Sequence, residues 1–129
     1  MLPMTEIRVP FADTDAMAIV HHANYLRYFE VARVGWLREK GHDYRDWQKR
    51  GQHLPLVESY CKYRKPARFE DILQITVKPR IEKVRVVFDY QIFNKDSGEL
   101  LTEGHTIHVA VNEQLKVIAL PDDFKLILS

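Results

Sequence analysis

The sequence predicts an α+β protein in which one long helix is wrapped by an antiparallel sheet. Three observations carry that expectation. A proline-free stretch at 23–40 places apolar residues at helical spacing. The second half of the chain alternates apolar and polar residues with a period of two. The connections between the alternating runs are short and rich in turn formers, which favours antiparallel pairing. At 129 residues, 46% of them hydrophobic, the chain is expected to fold as a single domain over 1–129, because two halves would each be too small to bury a good core.

In chain order, residues 5–11 set Ile7, Val9 and Phe11 against Glu6, Arg8 and Pro10, a first strand that runs into the polar loop Ala12-Asp13-Thr14-Asp15. The helix over 23–40 follows. Tyr25, Phe29, Ala32 and Trp36 form its apolar face, Arg27, Arg33, Arg38 and Glu39 interrupt that face, and Gly41 suits the C-terminal cap. At ~1.5 Å per residue it reaches about 27 Å, enough to span a small sheet. Gly35 inside it costs helix stability, so close approach to another backbone is expected there. A short second helix is expected over 43–50. Strands follow where Leu73, Ile75 and Val77 alternate with Gln74, Thr76 and Lys78, where Val84, Val86, Phe88, Tyr90 and Ile92 alternate with polar neighbours, and where Ile107, Val109 and Val111 do the same. Asn94-Lys95-Asp96-Ser97-Gly98 is a turn, and residues 54–63 and 115–120 complete the expected sheet.

Composition removes several classes of function. Lys and Arg number 19 against 18 Asp and Glu, so the positive excess of a nucleic-acid binder is missing. The one cysteine, Cys61, has no intrachain disulfide partner and suits a reducing compartment. Residues 1–6 carry neither a basic nor an apolar targeting segment, and no run approaches the ~20 apolar residues of a membrane span. A soluble, cytoplasmic protein is the expectation.

The densest polar cluster lies at 13–25, between the first strand and the long helix. With a helix beginning near His22 or Ala23, the first backbone N–H groups lack intrahelical partners and the positive end of the helix points at the loop holding Asp15. That is an oxyanion site beside a carboxylate. By pattern alone, Asp15 serves equally as a helix cap or a solvated loop residue, and His21 and His22 as ordinary polar residues at a helix start. No HExxH or paired CxxC spacing occurs, so neither a metal nor a cofactor is expected.

The run Asp13-Thr14-Asp15 through Tyr25, continued by Leu26-Arg27-Tyr28-Phe29-Glu30-Val31-Ala32-Arg33, resembles the signature of the 4-hydroxybenzoyl-CoA thioesterase family and its bacterial acyl-CoA thioesterase relatives. The similarity continues through residues 63–71 and 104–111. It implies the hotdog fold and hydrolysis of an acyl or aryl CoA thioester. It assigns the catalytic aspartate to Asp15, as nucleophile or general base, and the oxyanion-hole N–H to His22, while Asp13 is structural. It places Glu30 where relatives carry an acidic helix residue, either toward substrate or paired with Arg27 or Arg33, and makes Tyr25 a packing aromatic within reach of the acyl group. Relatives usually carry glycine where Ala18 stands, and often at Met17, so these two shape the expected pocket floor. Lys83 and Arg85, near the family's nucleotide-binding strand, are the expected phosphate cations, with Arg64, Lys65 and Arg68 as a second basic cluster. The resemblance also implies a homodimer or homotetramer with sites at the subunit interface. Two other functions compete: a non-catalytic module binding acyl-CoA or acyl carrier protein, and a hotdog dehydratase.

Overall fold

The computed structural model describes residues 4–128; residues 1–3, half of the N-terminal stretch considered above, and residue 129 lie outside it. In chain order the elements are β1 (Met4–Arg8), a single 3-10 turn (Phe11–Asp13), α1 (Ala23–Glu39), α2 (Tyr44–Lys49), β2 (Leu56–Tyr63), β3 (Ile72–Glu82), β4 (Arg85–Asn94), β5 (Leu100–Val109) and α3 (Asp122–Leu128).

Helix α1 buries Tyr25, Tyr28, Phe29, Ala32, Trp36 and Leu37, one face of a 3.6-residue repeat. Its end is a Schellman cap: Gly41, at φ +79°, donates to the Arg38 carbonyl and His42 donates to the Leu37 carbonyl, both at 3.0 Å. The five strands form one antiparallel sheet of order β1-β3-β4-β5-β2. The inward residues Leu73, Ile75 and Val77 of β3 and Val86, Phe88, Tyr90 and Ile92 of β4 are all buried, so the sheet closes over α1 as the alternation requires. Phe29 stacks on Tyr90 at 4.3 Å between centroids, and Trp36 meets Phe88 edge-on at 6.2 Å.

Three expectations are corrected. The consecutive strands β3, β4 and β5 pair as a meander, but β2 pairs with β5 instead of with β3, leaving β1 and β2 as the two edges. Residues 115–120 are not a strand: Leu115 sits exposed at φ +62° in a turn closed by the Asn112 N–H on the Lys116 carbonyl, and Val117 makes an isolated bridge to Val111. The alternation there is too short and too exposed to hold a ladder. Close backbone approach occurs at Gly104 instead of Gly35. A methyl on Gly104 would stand 2.3 Å from the Tyr60 carbonyl oxygen and 2.9 Å from the Phe29 ring, whereas one on Gly35 would meet the Thr5 hydroxyl at 3.4 Å. Helix α3, absent from the sequence reading, seats Phe124 edge-on to Trp47 at 4.6 Å.

Candidate active site

Two aspartates of one loop have different surroundings. The 3-10 turn carries Asp13 inward, where its Oδ2 accepts the Tyr28 hydroxyl at 2.6 Å and it pairs with Arg27. The Asp13 carbonyl accepts from the His21 N–H and the Asn24 side-chain amide, both at 2.9 Å. Asp13 therefore ties the loop to α1. Burial and the adjacent Asp13 carboxylate push the Tyr28 phenol well above its ordinary range, so it remains a donor.

Asp15 is exposed and opens a tight turn. Its N–H donates to the Ile19 carbonyl at 2.9 Å, its carbonyl accepts from Ala18 at 2.9 Å, and Oδ1 accepts the Met17 N–H at 2.8 Å. Oδ2 makes no hydrogen bond among the described residues. The turn requires φ +58° at Ala18, the left-handed region that favours glycine. The loop is held against the segment before β3 by the Val20 N–H on the Ala67 carbonyl at 2.8 Å and the Phe69 N–H on the Ala18 carbonyl at 3.1 Å.

His22 is the N-cap of α1. The His21 ring Nδ1 accepts the Ala23 N–H at 3.2 Å, and Asn24 N–H closes on the His21 carbonyl, yet the His22 N–H meets no acceptor among the described residues. It is a free donor at the positive end of the helix. Asp15, His22 and Tyr25 together line one open cleft of about 410 Å³, with Ile19, Val20, Tyr63, Arg64, Lys65 and Pro66 completing its wall. Tyr25 is buried and meets Tyr63 edge-on at 5.1 Å. Arg64 pairs with Glu103 at 2.6 Å, and Lys65 pairs with Glu99. Cys61 faces inward beside Tyr63, and burial pushes its thiol up, which keeps it protonated and inert.

Other expected site residues lie elsewhere in the protomer. Met17 is 75% exposed and neither it nor Ala18 lines the cleft; the departure from glycine at Ala18 is felt in the backbone angle, not in a pocket floor. Glu30 lies 3.9 Å from Arg33 and lines two further hollows beside α1. Lys83, at φ +58°, and Arg85 belong to the β3–β4 hairpin, and Arg85 pairs with Glu58 at 3.1 Å. At ~3.3 Å per residue that hairpin is about 33 Å along β3 from Ile72, the end beside the Asp15 loop. Among the described residues no group of three or more His, Cys, Asp and Glu could hold a metal ion, and no helix is long and apolar enough to cross a membrane.

Sequence reasoning missed a buried polar chain beneath α1. Arg33 Nη1 donates to the Tyr90 hydroxyl at 3.2 Å, Tyr90 and Thr106 hydroxyls are 2.7 Å apart, Thr106 is 2.9 Å from His108 Nε2, and His108 Nδ1 is 3.1 Å from the Leu54 carbonyl. Arginine only donates and a carbonyl only accepts, so both ends fix the direction: Tyr90 donates to Thr106, Thr106 donates to Nε2, and the neutral imidazole donates from Nδ1. Burial, with the Arg33 cation second, holds the His108 pKa down to about 4. Strand periodicity sets Thr106 and His108 on the polar face opposite Ile107 and Val109, yet that polar face is the buried one, and their further partners Tyr90 and Leu54 lie too far away in sequence to show a signal.

The model of the thioesterase-like superfamily matches residues 9–128. The chain belongs to that superfamily. It is similar to the acyl-CoA thioester hydrolase YbgC of Escherichia coli, 31% identical over 119 residues covering 89% of this chain and 87% of that one. It is similar to the 1,4-dihydroxy-2-naphthoyl-CoA hydrolase of Thermosynechococcus vestitus, 31% identical over 105 residues covering 80% and 71%. Among solved structures, a 1,4-dihydroxy-2-naphthoyl-CoA thioesterase from Synechocystis superimposes with a TM-score of 0.91 at 26% identity, covering 97% of this chain and 93% of that one. This superfamily member is thus a thioester hydrolase with the hotdog architecture, in which the sheet wraps α1.

Proposed function

We propose that the protein hydrolyses acyl-CoA thioesters at the cleft between the Asp15 loop and the N-terminus of α1. The observation that carries this reading is the pairing of a carboxylate oxygen and a backbone donor, Asp15 Oδ2 and His22 N–H, both without protein partners among the described residues and both on one cleft. The thioester carbonyl accepts from His22, which stabilises the oxyanion of the tetrahedral intermediate; a donor of this kind is worth ~2.7–4 kcal/mol at comparable sites. Asp15 either draws a proton from water as the water oxygen bonds to the carbonyl carbon, or attacks that carbon itself to form an anhydride that water then opens. By both routes the C–S bond breaks, CoA leaves as a thiol and the acid is released.

Ile19, Val20, Tyr25, Tyr63 and Pro66 make the cleft wall largely apolar, which suits a short or medium acyl or an aryl group better than a charged one. The named substrates of the relatives above support a CoA ester. Arg64 and Lys65 supply cations at the rim.

The remaining residues of the family pattern join this cleft through a second copy of the chain. Strand β2 is an open edge with Leu56, Val57, Tyr60 and Tyr63 exposed. Antiparallel pairing of two β2 edges about a two-fold axis sets the Tyr63 end of one beside the Leu56 end of the other. The Leu56 end is where Arg85 pairs with Glu58 and where Glu30 lines a hollow with Leu56. A homodimer thus gathers Lys83, Arg85 and Glu30 toward the Asp15 cleft, and a homotetramer doubles that unit.

The deciding experiment is thiol release from a panel of aliphatic, aryl and dicarboxylyl CoA thioesters. Steady turnover with preference for aliphatic or aryl esters is expected. Tight binding without release would make the protein a binding module, and preference for dicarboxylyl esters would refute the apolar lining.

A further inference from the structure

The backbone leading into α1 is bonded at every donor but one. The Val20 N–H donates to the Ala67 carbonyl at 2.8 Å, and the His21 N–H donates to the Asp13 carbonyl at 2.9 Å. The Ala23 N–H donates to the His21 ring Nδ1 at 3.2 Å, Asn24 to the His21 carbonyl at 2.9 Å, and Tyr25 to the His22 carbonyl at 3.3 Å. Within residues 20–25, and with acceptors sought among the described residues, the His22 N–H alone is open. Of the donors that a helix leaves unmet at its start, His21 therefore takes two, one with its side chain and one with its backbone.

His22 does not share in this capping by its side chain. It holds helical angles, φ −54° and ψ −32°, and its ring makes no cap hydrogen bond. The cap comes from the residue before it, by a ring nitrogen that reaches two residues along the chain, the span over which an asparagine side chain closes the same kind of turn. The His21 ring also lies against the His22 ring, with 4.2 Å between centroids and 30° between planes.

The donor to Nδ1 is a backbone N–H, so Nδ1 carries a lone pair and the uncharged ring keeps its proton on Nε2. An imidazolium has protons on both nitrogens and turns a donor toward a donor. The cap therefore exists only while His21 is uncharged. Around it stand the His22 ring, Asp13 with its carboxylate taken by Tyr28 and Arg27, Asp15, Arg64 and Lys65 on the cleft that His22 lines, and Arg68, bridged to Ile19 from the segment before β3.

We propose that His21 is a positioning residue of the hydrolase: its uncharged imidazole takes the Ala23 N–H, leaving the His22 N–H as the one open donor of the helix end and fixing where the oxyanion is held. This rests on thioester hydrolysis at the Asp15 cleft. With Nδ1 withdrawn, two adjacent N–H groups are open, solvent competes for both, and the first turn of the helix frays. An oxyanion donor works by being set in advance where negative charge develops, so its loosening is felt in the transition state more than in binding. Turnover is thereby coupled to proton binding at His21, separately from proton binding at Asp15.

The test measures kcat and KM for an acyl-CoA that the wild type cleaves, across the pH range in which histidines and carboxylates titrate, in the wild type, His21→Phe, His21→Asn and His22→Gln with matched circular dichroism. His21→Phe keeps a ring against His22 and removes the acceptor; kcat is expected to fall about fivefold or more, the scale of one helix-cap hydrogen bond. Its KM should stay within about twofold, as for an interaction made in the transition state. His21→Asn restores an acceptor that does not titrate, and its kcat at neutral pH should stay within about threefold of the wild type. The wild type is expected to lose turnover on acidification through the histidine range as well as the carboxylate range. The histidine-range loss should persist in His22→Gln, which keeps the backbone N–H, and be absent from both His21 variants.

An undiminished kcat in His21→Phe, no histidine-range loss in the wild type, or the same loss in His21→Asn overturns the inference and leaves the hydrolase reading standing. So does a loss that disappears in His22→Gln, which would assign the proton to the His22 ring. If His21→Phe does not fold, the pH profile of His21→Asn decides. A wild type that releases no thiol removes the hydrolase reading and this inference with it.

Discussion

The Tyr28 hydroxyl donates to Asp13 Oδ2 at 2.6 Å, joining the second turn of α1 to the loop that carries Asp15 two residues later. Asp13 also pairs with Arg27, and its side chain is only 12% exposed. Two neighbouring aspartates of similar sequence context are thereby divided, one into the scaffold and one into the cleft. Asp13→Asn should destabilise the fold by about 1–3 kcal/mol, the scale of a buried hydrogen bond to a charged group, and reduce turnover only as the loop loosens. Asp15→Asn should leave the urea midpoint nearly unchanged and lower kcat at least ~100-fold, the general scale for an acid–base group. Denaturation curves and thiol release on the same preparations check both. Normal turnover in Asp15→Asn with an inactive but folded Asp13→Asn would reverse the assignment.

His108 makes stability depend on pH. The imidazole is held down to about 4 in the folded protein, whereas an unfolded histidine titrates near ~6.5. Between those values the unfolded chain binds a proton that the folded chain refuses, so stability falls as pH drops from about 6.5 toward 4 and levels below that. The loss is of order 3 kcal/mol. His42, also lowered by burial, adds to the slope in the same sense. Urea midpoints of the wild type and His108→Gln across this window should show a flatter dependence in the variant; parallel curves would remove His108 from the account.

Ala18 occupies the left-handed region at φ +58°, where an L side chain costs roughly 1–2 kcal/mol and glycine costs little. Ala18→Gly should therefore stabilise the protein by about 0.5–1 kcal/mol once the greater freedom of glycine in the unfolded chain is subtracted. The acyl preference should be unchanged, since Ala18 does not line the cleft. A lower melting temperature in the variant would refute the strain.

The open β2 edge and its exposed Leu56, Val57, Tyr60 and Tyr63 lead to an assembly prediction. Light scattering at micromolar concentration should give the mass of two or four chains. Ser59→Pro, which removes a backbone donor in the middle of that edge, should shift the mass toward one chain and lower turnover together with it. A wild-type mass of one chain, with full activity, would reject the shared site.

Local pattern was enough for much of this architecture. The periodicity of residues 23–40 marks α1 to within a residue of its observed end, Gly41 forms the expected cap, and the alternation of β3 and β4 is visible because each buries its apolar face; in β5 the faces are reversed, with Thr106 and His108 buried and Ile107 and Val109 only partly covered. The family signature located the loop whose Asp15 and His22 share a cleft. Other features required long-range contacts. Whether β2 pairs with β3 or crosses to β5 depends on which edge remains open after the meander closes, and no window of sequence contains both strands. Residues 115–120 have a strand-like composition but meet residues 110–112 through a single bridge and two cross-strand backbone hydrogen bonds, too few for a ladder, and α3 is short enough to depend on Phe124 docking against Trp47. Asp13 and Asp15 differ by burial, which the 3-10 turn decides. Arg33 and Tyr90 are 57 residues apart, and their hydrogen bond exists only because the sheet folds over the helix. Periodicity records how each residue meets the nearest core; the partners of a buried polar group are chosen by packing across the whole chain, and only the tertiary structure reveals them.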